Sequence, residues 1–292
     1  MTVFIACFYN LVSRNILRAD FFERLKSKKD CRIVLLAPDH SAAYFKVEFS
    51  NYSNVVIEPI EFLSMSKVNL LFHWLSWNLL STQSKKIHKI VQLNKDGNRF
   101  RYLFTSFLGW LGRSEIIRKA FRKLDYWLVP GGKFDYLFNK YQPDLVLATD
   151  MQDLRVQESS DTALVREARR NGISSIGMSR SWDSMTTKGL LRTLPDMLAV
   201  QSTSIKDQAV KYHSVNPEQV VVIGTPHYDK YILGQRISRE EFFKKLGFDP
   251  GKKLILLTIP SDIWTGNPSL SRYLLEVFSQ LKEQVVVRFP IF

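Results

Sequence analysis

The nine residues Ser181-Trp182-Asp183-Ser184-Met185-Thr186-Thr187-Lys188-Gly189 bring together an indole, a carboxylate, an ammonium group and the hydroxyls of serine and threonine. A carboxylate in such a setting can take the proton of an attacking hydroxyl, and a cation beside it can stabilise a departing phosphate. Asp183 is the first candidate for the base, with Asp153 and His40 behind it, and Lys188, Arg180 and Arg14 are the candidate cations. Asn10, Ser181, Trp182, Thr225, His227 and Asp229 are candidate substrate contacts. The same stretch also reads as a polar turn, with Trp182 covering the end of a sheet and Asp183 capping the turn through the hydroxyls that follow. The choice depends on which elements position it.

Those elements alternate. The apolar run VFIACFY precedes SRNILRADFFERLKS, where Ile16, Leu17, Phe21, Phe22 and Leu25 recur at helical spacing behind a Ser13 N-cap. CRIVLLAP, helical HSAAYFKVEF and the strand VVIEPIE follow. Residues 67–141 read as wholly helical, broken near Asp96-Gly97-Asn98 and turned at Pro130-Gly131-Gly132. Strands resume at PDLVLAT, SSIGMSR, MLAVQ and QVVVIGT, separated by helical DTALVREARRNG and SIKDQAVKYHS.

Continuous apolar strands joined by helices of ten or more residues require a parallel sheet covered on both faces. Residues 1–228 therefore read as one doubly wound, Rossmann-like α/β domain with a helical insertion at about 67–141. Residues 229–251 read as a linker whose helix, ISREEFFKKL, stops at Gly247. Residues 252–292 hold one βαβ unit, too small to bury a core alone, and read as an incomplete second α/β domain. Ligands of open α/β sheets bind beyond the carboxyl ends of the strands. The loops leaving those ends run through Asn10–Asn15, Asp39-His40, Asp150–Asp153, Ser181–Lys188 and Thr225–Asp229, so the tryptophan-containing stretch lies on the expected edge.

The loops also exclude chemistry. The first βα turn, FYNLVSRN, has no GxGxxG, and GxxxxGK[ST], HExxH and GxSxG do not occur. His40, His73, His88, His213 and His227 are too scattered for a local metal motif, and Cys7 and Cys31 form no CxxC or Cys/His cluster. Neither a metal nor a cofactor is expected. The N-terminus lacks a basic region ahead of its apolar stretch, so it reads as a core strand rather than a signal peptide. VNLLFHWLSWNLL, interrupted by Asn69, His73, Ser76 and Asn78, is shorter than the ~20 residues that span a bilayer. A cytoplasmic location is expected.

Charge is uneven. Across 292 residues, 41 Lys and Arg against 28 Asp and Glu leave +13, and much of the excess lies between Lys85 and Lys123, interleaved with Phe100, Phe104, Phe107, Trp110 and Phe121. Such a region can lie on anionic headgroups, which would make the protein peripheral on the inner face of a membrane, or can be a solvated helix face. Nucleic acid is not expected, because no helix-turn-helix, RRM or zinc-finger signature accompanies the charge.

VVVIGTPHYDKY, followed by a linker helix and KKLILLTIP, resembles the interdomain crossover of GT-B-type glycosyltransferases, nearest to the CDP-glycerol glycerophosphotransferase-like and surface-carbohydrate enzymes. There the last strand of the N-terminal domain ends in G-x-P-x-x-D, here Gly224, Pro226 and Asp229. The tryptophan loop after its strand and SRNILRADFFERL are similar to segments of the same group. The resemblance implies a GT-B-like fold and transfer of a sugar or glycerophosphoryl group from a nucleotide-activated sugar or CDP-glycerol to a hydroxyl of a glycan or lipid-linked acceptor. It implies an acceptor-type N-terminal domain and a donor-type C-terminal domain, which in such enzymes continues for four or more strands beyond VVVRFPIF. The chain is therefore expected to be C-terminally truncated, or completed by a second polypeptide, and poorly active alone. A catalytically incomplete binding or scaffold half-protein and a nonhydrolysing sugar-nucleotide epimerase remain the alternatives.

Overall fold

The computed structural model describes residues 1–9, 16–49, 51–61, 64–152, 160–234, 236–258, 268–281 and 283–288. The chain divides into two compact units, residues 1–232 and 233–292.

The first unit is built on a parallel sheet whose strands, in chain order, are β1 (Thr2–Ala6), β2 (Arg32–Pro38), β3 (Val55–Ile60), β4 (Leu145–Ala148), β5 (Ser174–Met178), β6 (Met197–Val200) and β7 (Val220–Val222). Their spatial order is β3-β2-β1-β4-β5-β6-β7, with every neighbouring pair parallel. This is the doubly wound α/β class that the alternation predicts. Successive side chains of a strand point to opposite faces. Val3, Ile5, Ile33 and Leu35 accordingly pack with Phe22, Phe45 and Phe49 on one face, while Phe4, Ala6, Val34 and Leu36 pack with Phe134, Leu137, Phe138 and Leu164 on the other. Burial on both sides is why these strands read as unbroken apolar runs.

Two helices flank the first strands: α1 (Asp20–Lys26) and α2 (Asp39–Phe49). The helix expected through Ile16–Leu25 is broken: Ile16 and Leu17 are helical, but Ala19 is extended (φ −88°, ψ 155°) and α1 begins at Asp20. Ser13, its expected N-cap, lies outside the described residues.

The insertion is helical as its sequence predicts. It comprises α3 (Lys67–Leu79), α4 (Gln83–Asp96), α5 (Arg99–Leu111), α6 (Glu115–Leu128) and α7 (Asp135–Tyr141). Side-chain oxygens of Ser66, Thr82 and Asn98 accept the backbone N–H groups of Asn69, Lys85 and Arg101, satisfying donors that a helix start leaves open. Gly97, at φ +67°, ends α4 in the left-handed conformation that favours glycine.

The insertion is fastened to the sheet domain by buried charge. Asp125 of α6 is fully buried and accepts from Arg166 Nη2 at 2.6 Å and from Arg192 Nε and Nη2 at 2.6 and 3.1 Å. Arg166 belongs to α8 (Asp161–Arg170), and Arg192 lies in the loop after β5. Arg118 donates to Gly112 O and Arg113 O, and Arg122 donates to Leu191 O and His213 O. These two arginines of the basic run therefore clamp carbonyls instead of facing solvent or lipid.

The remaining elements of this unit are the helical turn α9 (Ser184–Thr187), α10 (Thr203–His213) and α11 (Asp229–Leu233), which ends at the unit boundary. The second unit holds α12 (Arg239–Leu246), β8 (Leu254–Thr258), α13 (Pro268–Ser279) and β9 (Gln284–Arg288), with β8 and β9 parallel. Among its described residues Phe243 and Leu257 are the buried apolar side chains.

Candidate functional site

All strands of the first unit run the same way, so the loops after β1, β4, β5 and β7 leave one edge of the sheet. The chain order reverses between β1 and β4, which opens a crevice there. Thr149, just after β4, donates to Ala6 O at 2.8 Å and fixes the two strand ends together. The next residue, Asp150, is buried; its N–H donates to Asp161 Oδ1 at 2.9 Å, and its Oδ2 lies 3.1 Å from Arg180 Nη1. The Arg180 guanidinium also sits 4.8 Å from the ring centre of Tyr9, beyond β1. The candidate cation Arg180 thus lies at the switch point, paired with an aspartate and stacked on an aromatic face.

Beside Asp150, a cavity of about 40 Å³ is lined by His73, Trp77, Gln152, Ser160, Thr162 and Arg192, among others. It is floored by the loops after β4 and β5 and walled by α3 of the insertion. Gln152 Nε2 donates to Gly189 O at 3.2 Å, and Leu190 N donates to Ser76 O at 2.8 Å, so the insertion and the loop after β5 are joined here. Burial lowers the pKa of the half-buried His73, and the positive charges of Arg192 and Lys85 lower it further. Its imidazole is therefore neutral near pH 7, with a nitrogen able to accept a proton. Sequence reading noted His73 only as a polar break in an apolar stretch and as one of five scattered histidines. Besides Lys85 and its own helix, its setting is made by Gln152, Gly189 and Arg192, more than seventy residues downstream, so no local spacing could reveal it.

The tryptophan loop is a tightly bonded turn. Asp183 accepts from Ser181 Oγ through Oδ1 and from Thr187 Oγ1 at 2.9 Å through Oδ2, and Lys188 Nζ lies 3.7 Å away. Burial alone would raise the Asp183 pKa, but the two hydroxyls and the Lys188 ammonium outweigh it and hold the carboxyl below its usual range. That makes it a weaker base than an ordinary carboxylate. His213 pins the loop from below: its Nδ1 accepts Leu191 N–H at 3.1 Å, so Nε2 carries the proton and donates to Met185 O at 2.8 Å. Trp182 is 79% exposed at the tip.

The other residues singled out from sequence divide into two groups. His40 lies exposed in the first turn of α2 at the end of β2. Thr225 precedes a 3₁₀ turn over Pro226–Tyr228, where the His227 and Tyr228 rings lie 4.1 Å apart, and Asp229 opens α11. Thr225, His227 and Asp229 share the sheet edge with Asp183, but beyond β7, two strands away, whereas His40 lies three strands away on the other side, after β2. Asn10, Arg14 and Asp153 lie outside the described residues. Among the described residues no group of three His, Cys, Asp or Glu side chains could hold a metal ion.

No family model matches the chain. No curated protein matches it either. Similar solved structures include the UDP-GlcNAc 2-epimerase from Methanocaldococcus jannaschii, at 12% identity and a TM-score of 0.45, covering 100% of this chain and 65% of that one. A glycosyltransferase from Rickettsia africae is similar at 9% identity and a TM-score of 0.49, covering 99% and 68%. Arabidopsis thaliana UGT89C1 complexed with UDP is similar at 12% identity and a TM-score of 0.45, covering 99% and 65%. The chain thus spans about two thirds of the length of the solved structures it is similar to.

Proposed function

We propose that the chain is a GT-B-type, glycosyltransferase-like protein of surface-polysaccharide synthesis, passing a sugar or glycerophosphoryl group from a nucleotide-activated donor to an acceptor hydroxyl. The observation that supports this reading is the half-buried His73, lining a cavity at the sheet edge where the doubly wound fold receives ligands, with its pKa lowered by burial. His73 takes the acceptor proton in this proposal. Asp183, the first candidate from sequence, shapes the loop that carries Trp182 and Lys188. Arg180 contributes positive charge at the switch point.

A lipid-linked acceptor fits the same reading. Phe100, Leu103, Phe104, Phe107 and Trp110 form one exposed stripe of α5, flanked by exposed Arg99, Arg101 and Arg113. Among the described residues no helix is long and apolar enough to cross a membrane, so contact would be made along this stripe with an anionic surface.

The test is a panel of sugar nucleotides and CDP-glycerol. A donor that binds the folded state raises the melting temperature, and transfer to a hydroxyl acceptor follows by product analysis. His73→Gln is expected to keep the donor-induced stabilisation while lowering turnover by about 10²- to 10⁴-fold, the usual contribution of a general base. Asp183→Asn is expected to lower turnover less. A panel without stabilisation or transfer overturns the proposal, and full activity in His73→Gln removes His73 from the proton step.

A further inference from the structure

Lys85, in the first turn of α4, is 3% exposed, and its Nζ has no hydrogen-bond partner. A buried ammonium without an acceptor is costly, so such a group is kept neutral or meets an anion. Its Nζ lies 3.0 Å from the centre of the Trp77 ring. Two cavities, of 240 and 360 Å³, share Lys85, Lys89 and Tyr102 in their walls. The larger is also lined by Lys86, Arg113 and the residues that start α4, Thr82 and Gln83. Among the described residues neither cavity is lined by a carboxylate.

The charged groups nearest Lys85 share its sign, although two of them, Arg101 and Lys188, are themselves ion-paired, with Asp96 and Asp183. Lys89 and His88 follow on its own helix, Arg101 lies across one cavity on α5 beside the phenol of Tyr102, and Lys188 approaches from the loop after β5. Thr82 Oγ1 donates to Thr186 O at 2.6 Å and fixes the start of α4 against that loop. Burial lowers the pKa of Lys85, the charges of Lys89 and Lys188 lower it further, and it falls to about 6. Burial likewise lowers that of Lys89.

We infer that the cavities around Lys85 and Lys89 are a binding site for a phosphate group. A phosphate entering there meets converging lysines, an arginine and the positive end of a fourteen-residue helix, the arrangement that favours such anions. It supplies the acceptor that Lys85 lacks, and the amine takes up a proton as the anion binds. The tryptophan faces of Trp77 and Trp110 offer stacking or apolar contact to whatever the phosphate is attached to. The inference stands apart from the glycosyl-transfer reading, whose proton step lies at His73.

The full chain tests it in two arms. Trace acylation of lysines, read at Lys85 by mass spectrometry between about pH 5 and pH 9, gives the titration of that amine. Inorganic phosphate and pyrophosphate form one arm. Vesicles of phosphatidylcholine, with or without phosphatidic acid, form the other. Either ligand is expected to protect Lys85 and to shift its titration upward by a pH unit or more. Protection by both sources identifies a lipid-borne phosphate reached from the exposed stripe of α5, whereas protection by the soluble anions alone identifies a free phosphate or diphosphate. Lys85→Met removes a buried unpaired amine and so retains the fold; it is expected to bind the effective probe at least about tenfold more weakly. No protection in either arm, or unchanged affinity in Lys85→Met, overturns the inference.

Discussion

At the scale of single residues, burial decides what the polar groups do. His213 makes no contact with solvent; burial first, and then the charges of Arg122 and Arg118, bring its pKa to about 3 from an ordinary 6.5, although its bond to Met185 O opposes the shift. Between these values the unfolded chain binds a proton that the folded chain does not. Stability is therefore fully present above pH 6.5 and falls as the pH drops toward 3, by up to about 1.4 kcal/mol per unit for this one group. Chemical denaturation over a pH series is expected to show that slope. His213→Gln should reduce it, whatever its effect at neutral pH, because the titrating group is gone; an unchanged slope would show that other groups carry the acid sensitivity. The bond pattern of His213 makes the consequence local as well. Protonation removes the acceptor for Leu191 N–H, so the loop carrying Trp182 and Lys188 is the part that acid should release first.

At the scale of elements, the helices of the insertion meet through backbone contacts that leave no room for change. A Cβ on Gly112, at the end of α5, would lie 1.8 Å from Leu79 O and 2.7 Å from Leu79 C, and a main-chain neighbour cannot swing aside as a flexible side chain can. Gly112→Ala is expected to cost about 1–3 kcal/mol, as overpacking does, and to loosen the end of α3. Thermal melts measure the cost; a variant as stable as the parent would mean that α3 and α5 can separate freely. The helices themselves were legible in the sequence: Asn98 and Gly97 mark a cap and a stop, and apolar spacing gives the rest. The sheet was equally legible, since unbroken apolar runs such as CRIVLLAP suit strands covered on both faces. The candidate site was legible only as an edge. Arg180, Asp183 and the Asp150 loop were visible because they follow strands, but the settings of His73 and Lys85 depend on burial and on charges such as Arg192 and Lys188 that distant loops bring to them. The basic run divides for the same reason. Its charges look alike in sequence, yet Arg118 and Arg122 hold carbonyls and Lys85 is buried, while Lys86, Arg99 and Arg113 face outward.

At the scale of the molecule, the two units differ in how much apolar surface each removes from water. In the first, β1, β2 and β4 contribute fully buried side chains to both faces of the sheet, including Phe4, Ile5, Ile33, Leu35, Leu36 and Val146. In the second, the apolar residues of β8 and β9 are only half-buried except for Leu257, and Leu256 is exposed. Burial contributes about 25 cal/mol per Å² of apolar surface, so half-buried strands hold far less free energy against opening than covered ones. Amide protection follows the free energy of the opening that exposes each group, and it ranges from near zero at weakly packed segments to the global value in the core. Native-state hydrogen exchange on the 292-residue chain is therefore expected to show the amides of β1, β2 and β4 exchanging only through global unfolding, and those of β8 and β9 exchanging orders of magnitude faster. Denaturant should accelerate the second set at lower concentration than the first, because the opening that exposes it is the smaller one. Equal protection in both sets would mean that the second unit gains burial that its own described residues do not supply, and the energetic division between the units would have to be abandoned.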